Sequence, residues 1–213
     1  MGEMGAMERA LGPQEALFAE LIRRGNGGIQ LVTLAKFEMP PAVDDVRRAL
    51  QAIHQRHPMM RARVEDRETL WWVCDVPFER IDISVEAMGD AFDLETYYAT
   101  ESAKVIDITA VSWRAVLLTD AQDRVAWIVL VTNHGGIDGR SALVVLNDLD
   151  VFLNDPDAWS DVALPLMPPA EAELSAAGLV GDRELLPVWP EETMWRVARP
   201  SASAQRKPCL LYT

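Results

Sequence analysis

Val131-Thr132-Asn133-His134-Gly135-Gly136-Ile137-Asp138-Gly139-Arg140-Ser141 joins an apolar run to a helical pattern through a histidine, two glycines and an Asp-Gly turn. Val125 to Val131, just upstream, is the longest apolar run in the chain and has the length of a strand. Its continuous rather than alternating character predicts a central strand buried on both faces. Downstream, Arg140 to Leu153 predicts a helix whose apolar residues are Ala142, Leu143, Leu146, Leu149, Val151 and Leu153. His134 therefore stands at the end of a buried strand, in the loop Asn133 to Gly139. Gly135 and Gly136 let other groups come close there, and Asp138-Gly139 starts the helix. An imidazole placed so reaches a cleft, and its unperturbed pKa of about 6.5 suits proton abstraction near neutral pH. Taken alone, HxxxDG also fits a loop histidine before a helix-entry turn, because three fixed residues in six positions recur by chance.

The elements around this centre alternate between the two periods. Arg9 to Arg24 predicts a helix with Pro13 in its first turn, an apolar stripe of Leu17, Phe18, Leu21 and Ile22, and Gly25 at its end. Ile29 to Glu38 predicts a strand. Val43 to His57 predicts a helix burying Val46, Leu50 and Ile53 and stopped by Pro58. Strands near Arg61 to Glu65 and Thr69 to Cys74 flank a polar bend at Asp66-Arg67-Glu68 and read as a hairpin. Asp82 to Asp107 is mixed, with a helix over Leu94 to Ala103. Trp113 to Leu118 and Val125 to Thr132 are the strongest strands, joined by a turn at Ala121-Gln122-Asp123. The expected class is α/β: a two-layer sandwich of a mixed β-sheet with packed helices.

A second segment carries chemistry-related pattern: Ala49-Leu50-Gln51-Ala52-Ile53-His54-Gln55-Arg56-His57-Pro58-Met59-Met60-Arg61-Ala62-Arg63. Here a helix ends in Arg-His-Pro and an apolar-Arg pair opens a strand. With HxxxDG about 75 residues further on, the chain resembles the chloramphenicol acetyltransferase-like superfamily. That superfamily includes nonribosomal peptide condensation domains, polyketide-associated acyltransferases and alcohol acetyltransferases. The opening Arg9 to Glu15 resembles the start of the last two branches. The resemblance covers roughly residues 8 to 153.

The resemblance implies one half of a two-subdomain fold, with a tunnel between the halves. Residues 1–154 correspond to the N-terminal acyltransferase subdomain. Residues 155–213, which hold 8 of the 13 prolines, correspond to a crossover leading toward a second subdomain that lies beyond this sequence. Short helices near Ala170 to Ala177 and a strand start at Cys209 to Thr213 are expected there. The reaction implied is acyl transfer from a thioester, on coenzyme A or on the phosphopantetheine of an acyl carrier protein, to a hydroxyl or amine. His134 is the implied general base, with no permanently bound cofactor and no metal. Where many members carry two adjacent histidines, this chain has Asn133 before His134. Asp138, beside Gly139, is implied to be structural through an ion pair with an arginine, for which Arg61 is the expected partner. Losing one member of a buried pair of that kind costs about 3–5 kcal/mol. A complementary C-terminal subdomain is the implied protein partner. A binding or docking module that kept the fold without catalysis is the alternative.

The remaining residues carry plainer readings. His54 and His57, at i and i+3, could bridge a metal, but no third ligand accompanies them. Trp71 and Trp72 put one indole on each face of a strand. Ser141 fits a helix start better than a nucleophile, and Cys74 fits a core. Lys plus Arg number 20 against 33 acidic residues, a net charge of −13. That charge opposes binding to nucleic acid or anionic lipid. No apolar run approaches the roughly 20 residues of a membrane helix. The expectation is a cytoplasmic protein with two free thiols, Cys74 and Cys209.

Overall fold

The central strand expected from Val125 to Thr132 is β7 (Val125–Asn133) in the computed structural model, and the other elements assemble around it. The structure describes residues 7–25, 29–89 and 91–172, and the backbone of 210–212. In chain order these are β1 (Met7–Ala10), α1 (Pro13–Arg23), β2 (Gln30–Phe37), α2 (Val43–Arg56), β3 (Arg63–Asp66), β4 (Leu70–Cys74), β5 (Ile83–Ala87), α3 (Leu94–Ala103), β6 (Trp113–Thr119), β7, α4 (Gly139–Asn154) and β8 (Leu210–Tyr212).

Five strands form a mixed sheet in the order β5-β6-β7-β2-β8; β5 runs parallel to β6 and every other pair is antiparallel. The parallel pair needs a crossover, and α3 supplies it. β1, β4 and β3 make a separate antiparallel sheet of three strands.

Period-two alternation splits the large sheet between two cores. Trp113, Ala115 and Leu117 of β6, with Ile128 and Leu130 of β7, face α2 and α4. Val116, Leu118, Val129 and Val131 face α1 and the small sheet, where Ala19, Ile22 and Trp72 meet them. A fully buried aliphatic side chain contributes about 1.5–3 kcal/mol, against about 0–1 kcal/mol for an exposed ion pair. Packing on both faces, rather than the surface ion pairs of the small sheet, therefore fixes where β7 ends and where His134 begins.

Two boundaries differ from the sequence reading. Arg9 is not helical: Met7–Ala10 pairs with β4, and α1 starts at Pro13, where the Glu15 carboxylate accepts from the Gly12 backbone N–H at 2.8 Å. Likewise, the strand expected from Arg61 begins at Arg63, because Pro58–Arg61 coils into a 3₁₀ turn. That turn is tied to β6: Ser112 Oγ donates to the Met59 carbonyl at 2.7 Å, and the Trp113 indole N–H donates to that of Met60 at 2.8 Å. Strand β5 went unread because a short, half-exposed edge strand carries little pattern. The C-terminal strand expectation is met in backbone by Leu210–Tyr212 on β2. The helix expected at Ala170 to Ala177 is described only over 170–172; the rest of it, and Cys209, lie outside the described residues.

Candidate active site

The end of β7 is held from several sides before it turns. Asn133 pairs with Gln30 of β2, is fully buried, and donates its backbone N–H to the Ser112 carbonyl at 2.8 Å. Its side-chain oxygen accepts from the Gly135 N–H at 2.9 Å, and its carbonyl accepts from Gly136 and Ile137 at 3.1 and 3.0 Å. Asn133 thus does locally what a turn needs, closing an Asx turn around His134. Ile137 drops back into the core at 2% exposure. Asp138 then caps α4, its carboxylate accepting from the Ser141 N–H at 2.7 Å. His134 is the residue this turn leaves half-buried, facing a cavity of about 220 Å³.

Among the described residues no hydrogen bond anchors the imidazole. Nδ1 of His134 is buried without a hydrogen-bond partner, and the ring leans on Phe18 of α1, centroids 5.3 Å apart and planes 47° apart. The helix comes this close because Gly135 lacks a side chain. A Cβ there would lie 3.3 Å from the Glu15 carbonyl oxygen and 3.5 Å from the Phe18 Cβ. A Cβ on Gly136 would lie 2.6 Å from the methyl of Met59. Gly139 is different: a Cβ there meets nothing within 4 Å, so space does not demand glycine at that position.

Asp138 is held below the ordinary carboxylate range. Burial, the largest influence, pushes the other way, but hydrogen bonds from Ser141 and the nearby His134 and Arg140 outweigh it. The ion pair expected between Asp138 and Arg61 is not formed. The Asp138 carboxylate serves the α4 cap, while Arg61 lines a cavity beside His54 and Cys74, with Nε and Nη2 buried and unpartnered. The 3₁₀ turn at Pro58–Arg61 is what carries Arg61 away from the His134 loop.

Arg56 and His57 form the best-connected polar group nearby, through a residue the sequence reading passed over. Asp148 of α4 accepts from Arg56 Nε at 3.0 Å and from His57 Nε2 at 2.8 Å. Arg56 also donates to the carbonyls of Ser160 and Val162, and its own carbonyl accepts from the Leu164 N–H. The signal was available: Asp148 is an acidic residue beside the apolar stripe of a helix, which predicts a cationic partner. His54 donates instead to the Val76 carbonyl at 2.9 Å, so the two histidines serve different partners. Burial lowers the pKa of both; Val76 opposes this at His54, and Asp148 opposes it at His57. Among the described residues no three His, Cys, Asp or Glu side chains gather as a metal would require. Cys74 is buried, and burial pushes its thiol up to about 11, away from nucleophilic reactivity. Trp72 is core, and Trp71 stacks under the Arg67 guanidinium, 4.8 Å from the ring centre.

A second clamp secures α1. Arg9 holds the Glu15 carboxylate with two hydrogen bonds of 2.7 Å and donates through Nε to the Met167 carbonyl at 2.7 Å. Glu171 accepts from the Gln14 N–H at 2.9 Å. The segment after α4 therefore returns across α1 and borders the His134 cavity.

No protein-family model matches the chain. A nonribosomal peptide synthetase, asqK of Emericella nidulans, is 24% identical over 154 residues, 71% of this chain and 6% of that protein. The condensation domain of the monacolin K polyketide synthase MokA superposes with a TM-score of 0.60 at 14% identity, covering 81% of this chain and 40% of that one. The X-domain from teicoplanin biosynthesis gives 0.62 at 18% identity, again over 81% and 40%. This chain thus spans well under half of the structures it matches and a small part of the curated relative. At these identities the likeness speaks to the fold alone: the chain folds like about two fifths of a condensation-domain structure.

Proposed function

We propose that this chain supplies the base-bearing half of an acyltransferase. The acyl group would move from a thioester of coenzyme A, or of a carrier protein's phosphopantetheine, to a hydroxyl or amine. His134 takes the proton from the acceptor as it attacks the thioester carbonyl; the thiolate leaves, and no acyl-enzyme forms. The observation that carries this reading is the placement of His134. It is a half-buried imidazole with no polar partner at Nδ1, on a turn pinned at Asn133, Ile137 and Asp138, facing a cavity. A group held but not engaged is what a proton acceptor needs to be. The synthetase context of the relatives favours a carrier-protein donor in a cytoplasmic setting. A complementary C-terminal subdomain, reached through the crossover that begins at residue 155, would wall the other side of the site and hold the second reactant; orientation of two reactants supplies much of such a rate.

The test is a thiol-release assay on the chain assembled with a second subdomain, using a panel of acyl thioesters and acceptors. Transfer that His134→Ala abolishes supports the reading. Transfer that survives His134→Ala within threefold overturns the base assignment, and no transfer from any pairing leaves the docking-module reading.

A further inference from the structure

The two nitrogens of His134 have different surroundings. Nδ1 is sealed from solvent without a hydrogen-bond partner, while the residue itself borders the cavity of about 220 Å³. Nε2 is therefore the nitrogen a reactant can reach. An imidazole working through one nitrogen has to present it in one direction, and a hydrogen bond at the ring is the usual means of fixing that direction. His54 and His57 are each fixed in this way, on the Val76 carbonyl and on Asp148. Among the described residues His134 has no such bond.

What lies against His134 is a ring. Phe18 of α1 has its centroid 5.3 Å from that of the imidazole, with the planes 47° apart, inside the range over which aromatic rings attract. Phe18 is itself held from both ends of its helix. Gln14, Phe18 and Ile22 follow one another at i, i+4 spacing and so share a face. One turn before Phe18, the Gln14 N–H donates to Glu171, and the neighbouring Glu15 carboxylate is held by Arg9 and the Gly12 N–H. Just after it, Ala19 and Ile22 are buried against β6 and β7. On the other side, Gly135 lets the loop lie close: a Cβ there would fall 3.3 Å from the Glu15 carbonyl oxygen and 3.5 Å from the Phe18 Cβ. Phe18 is only half-buried and lines the His134 cavity, so the core alone does not account for its place.

We infer that Phe18 is the positioning residue of His134: its ring, rather than a hydrogen bond, fixes the imidazole rotamer and with it the direction of Nε2. The kinetic consequence rests on the acyl-transfer reading; the ring placement does not. An aromatic contact of this kind favours one arrangement over its alternatives by about two- to tenfold. A base that points correctly only part of the time loses turnover in about that proportion, while binding of the reactants is untouched.

The experiment reads rotamer and rate separately. The chain has three histidines, so the Hα–Hβ couplings of His134 can be resolved by NMR on the full chain with labelled histidine. The wild type should show one dominant χ1 rotamer. Phe18→Leu, which keeps apolar bulk and removes the ring, should average the couplings, and Phe18→Trp, which keeps an aromatic face, should restore the single rotamer. Leu17→Ala, at a position 57% exposed on the same helix, should leave them unchanged. In the assembled enzyme, Phe18→Leu should lower kcat about three- to tenfold with KM within twofold, and Phe18→Trp should stay within twofold of wild type. A single rotamer kept in Phe18→Leu overturns the inference. So does an equal loss in the leucine and tryptophan variants, which would mark plain packing. If a Phe18 variant fails to fold, Gly135→Ala, which wedges the loop away from α1, should average the same couplings, and a single rotamer there overturns the inference equally. Averaged couplings in an enzyme whose transfer ignores His134→Ala would sink the proposed function and keep the positioning role. Transfer that needs His134 but is indifferent to Phe18→Leu would do the reverse.

Discussion

His57 and His134 sit on neighbouring parts of one fold and are treated in opposite ways. His57 is 12% exposed at its side chain and donates to a carboxylate that Arg56 also holds. His134 is half-buried, its Nδ1 is unpartnered, and its described ring neighbour is Phe18. Leaving a buried polar atom unmatched costs about 1–3 kcal/mol, and the chain bears that cost at His134 while satisfying His57. The first histidine joins α2 to α4 and to the returning segment; the second is presented to a cavity. His54 shares the unpartnered Nδ1 but is tied at Nε2 to the Val76 carbonyl, so the contrast with His134 lies in the second nitrogen.

The sharpest way to break this comparison is to remove each side in turn. His134→Ala should reduce transfer by the assembled enzyme about 10²–10⁴-fold while leaving the melting temperature of the chain unchanged or raised. Asp148→Ala should do the reverse to the chain itself. It strands Arg56 and His57 and frees their hold on residues 160–164, which predicts a loss of about 1.5–3 kcal/mol, read by chemical denaturation. A large stability loss in His134→Ala, or none in Asp148→Ala, would erase the distinction.

A smaller effect follows from pH. Burial lowers the pKa of both His54 and His57 in the folded chain. The unfolded chain, with histidines near 6.5, then binds protons that the folded chain refuses, so stability is fully present above about pH 6.5 and declines as pH falls below it. The slope cannot exceed about 1.4 kcal/mol per pH unit for each histidine. Melting curves between pH 7.5 and 5.5 should show this decline, and His54→Gln should flatten it. A stability that rises on acidification through this window would contradict neutral, buried roles for the pair.

How much was legible in the sequence depended on whether one chain segment or two had to be read. The run Val125 to Val131, the apolar face of Val43 to His57 and the Asp-Gly helix entry are local signals, and each became the element it indicated. The placement of His134 between β7 and α4 was legible for the same reason, since strand, turn and helix around it are contiguous. What stayed hidden needed a distant partner. Glu15 and Arg9 read as helix residues, yet one caps α1 and the other bridges to residue 167. Asp148 lies 91 positions from the histidine it holds. The expected Arg61 pairing failed similarly, because a 3₁₀ turn after Pro58 rotated the side chain toward α2 and β4.

That failed pairing gives the finest test of how the His134 loop is held. If Asp138 were one half of a buried ion pair, Asp138→Asn and Asp138→Ala would both be severe, since either leaves an arginine uncompensated at about 3–5 kcal/mol. The structure gives Asp138 a different task, a hydrogen bond to the Ser141 N–H at the start of α4. Asparagine caps nearly as well as aspartate, whereas alanine forfeits the cap at about 0.5–2 kcal/mol. Asp138→Ala should therefore lower stability by about 1 kcal/mol, and Asp138→Asn by a few tenths at most, since it loses only the favourable charge at a helix N-terminus. Arg61→Met probes the other side of the same question. It removes two buried, unpartnered guanidinium nitrogens, so it should be neutral or stabilising. Paired losses of several kcal/mol in Asp138→Asn and Arg61→Met, non-additive in the double variant, would restore the ion pair and require the loop to be held from the α2 side instead.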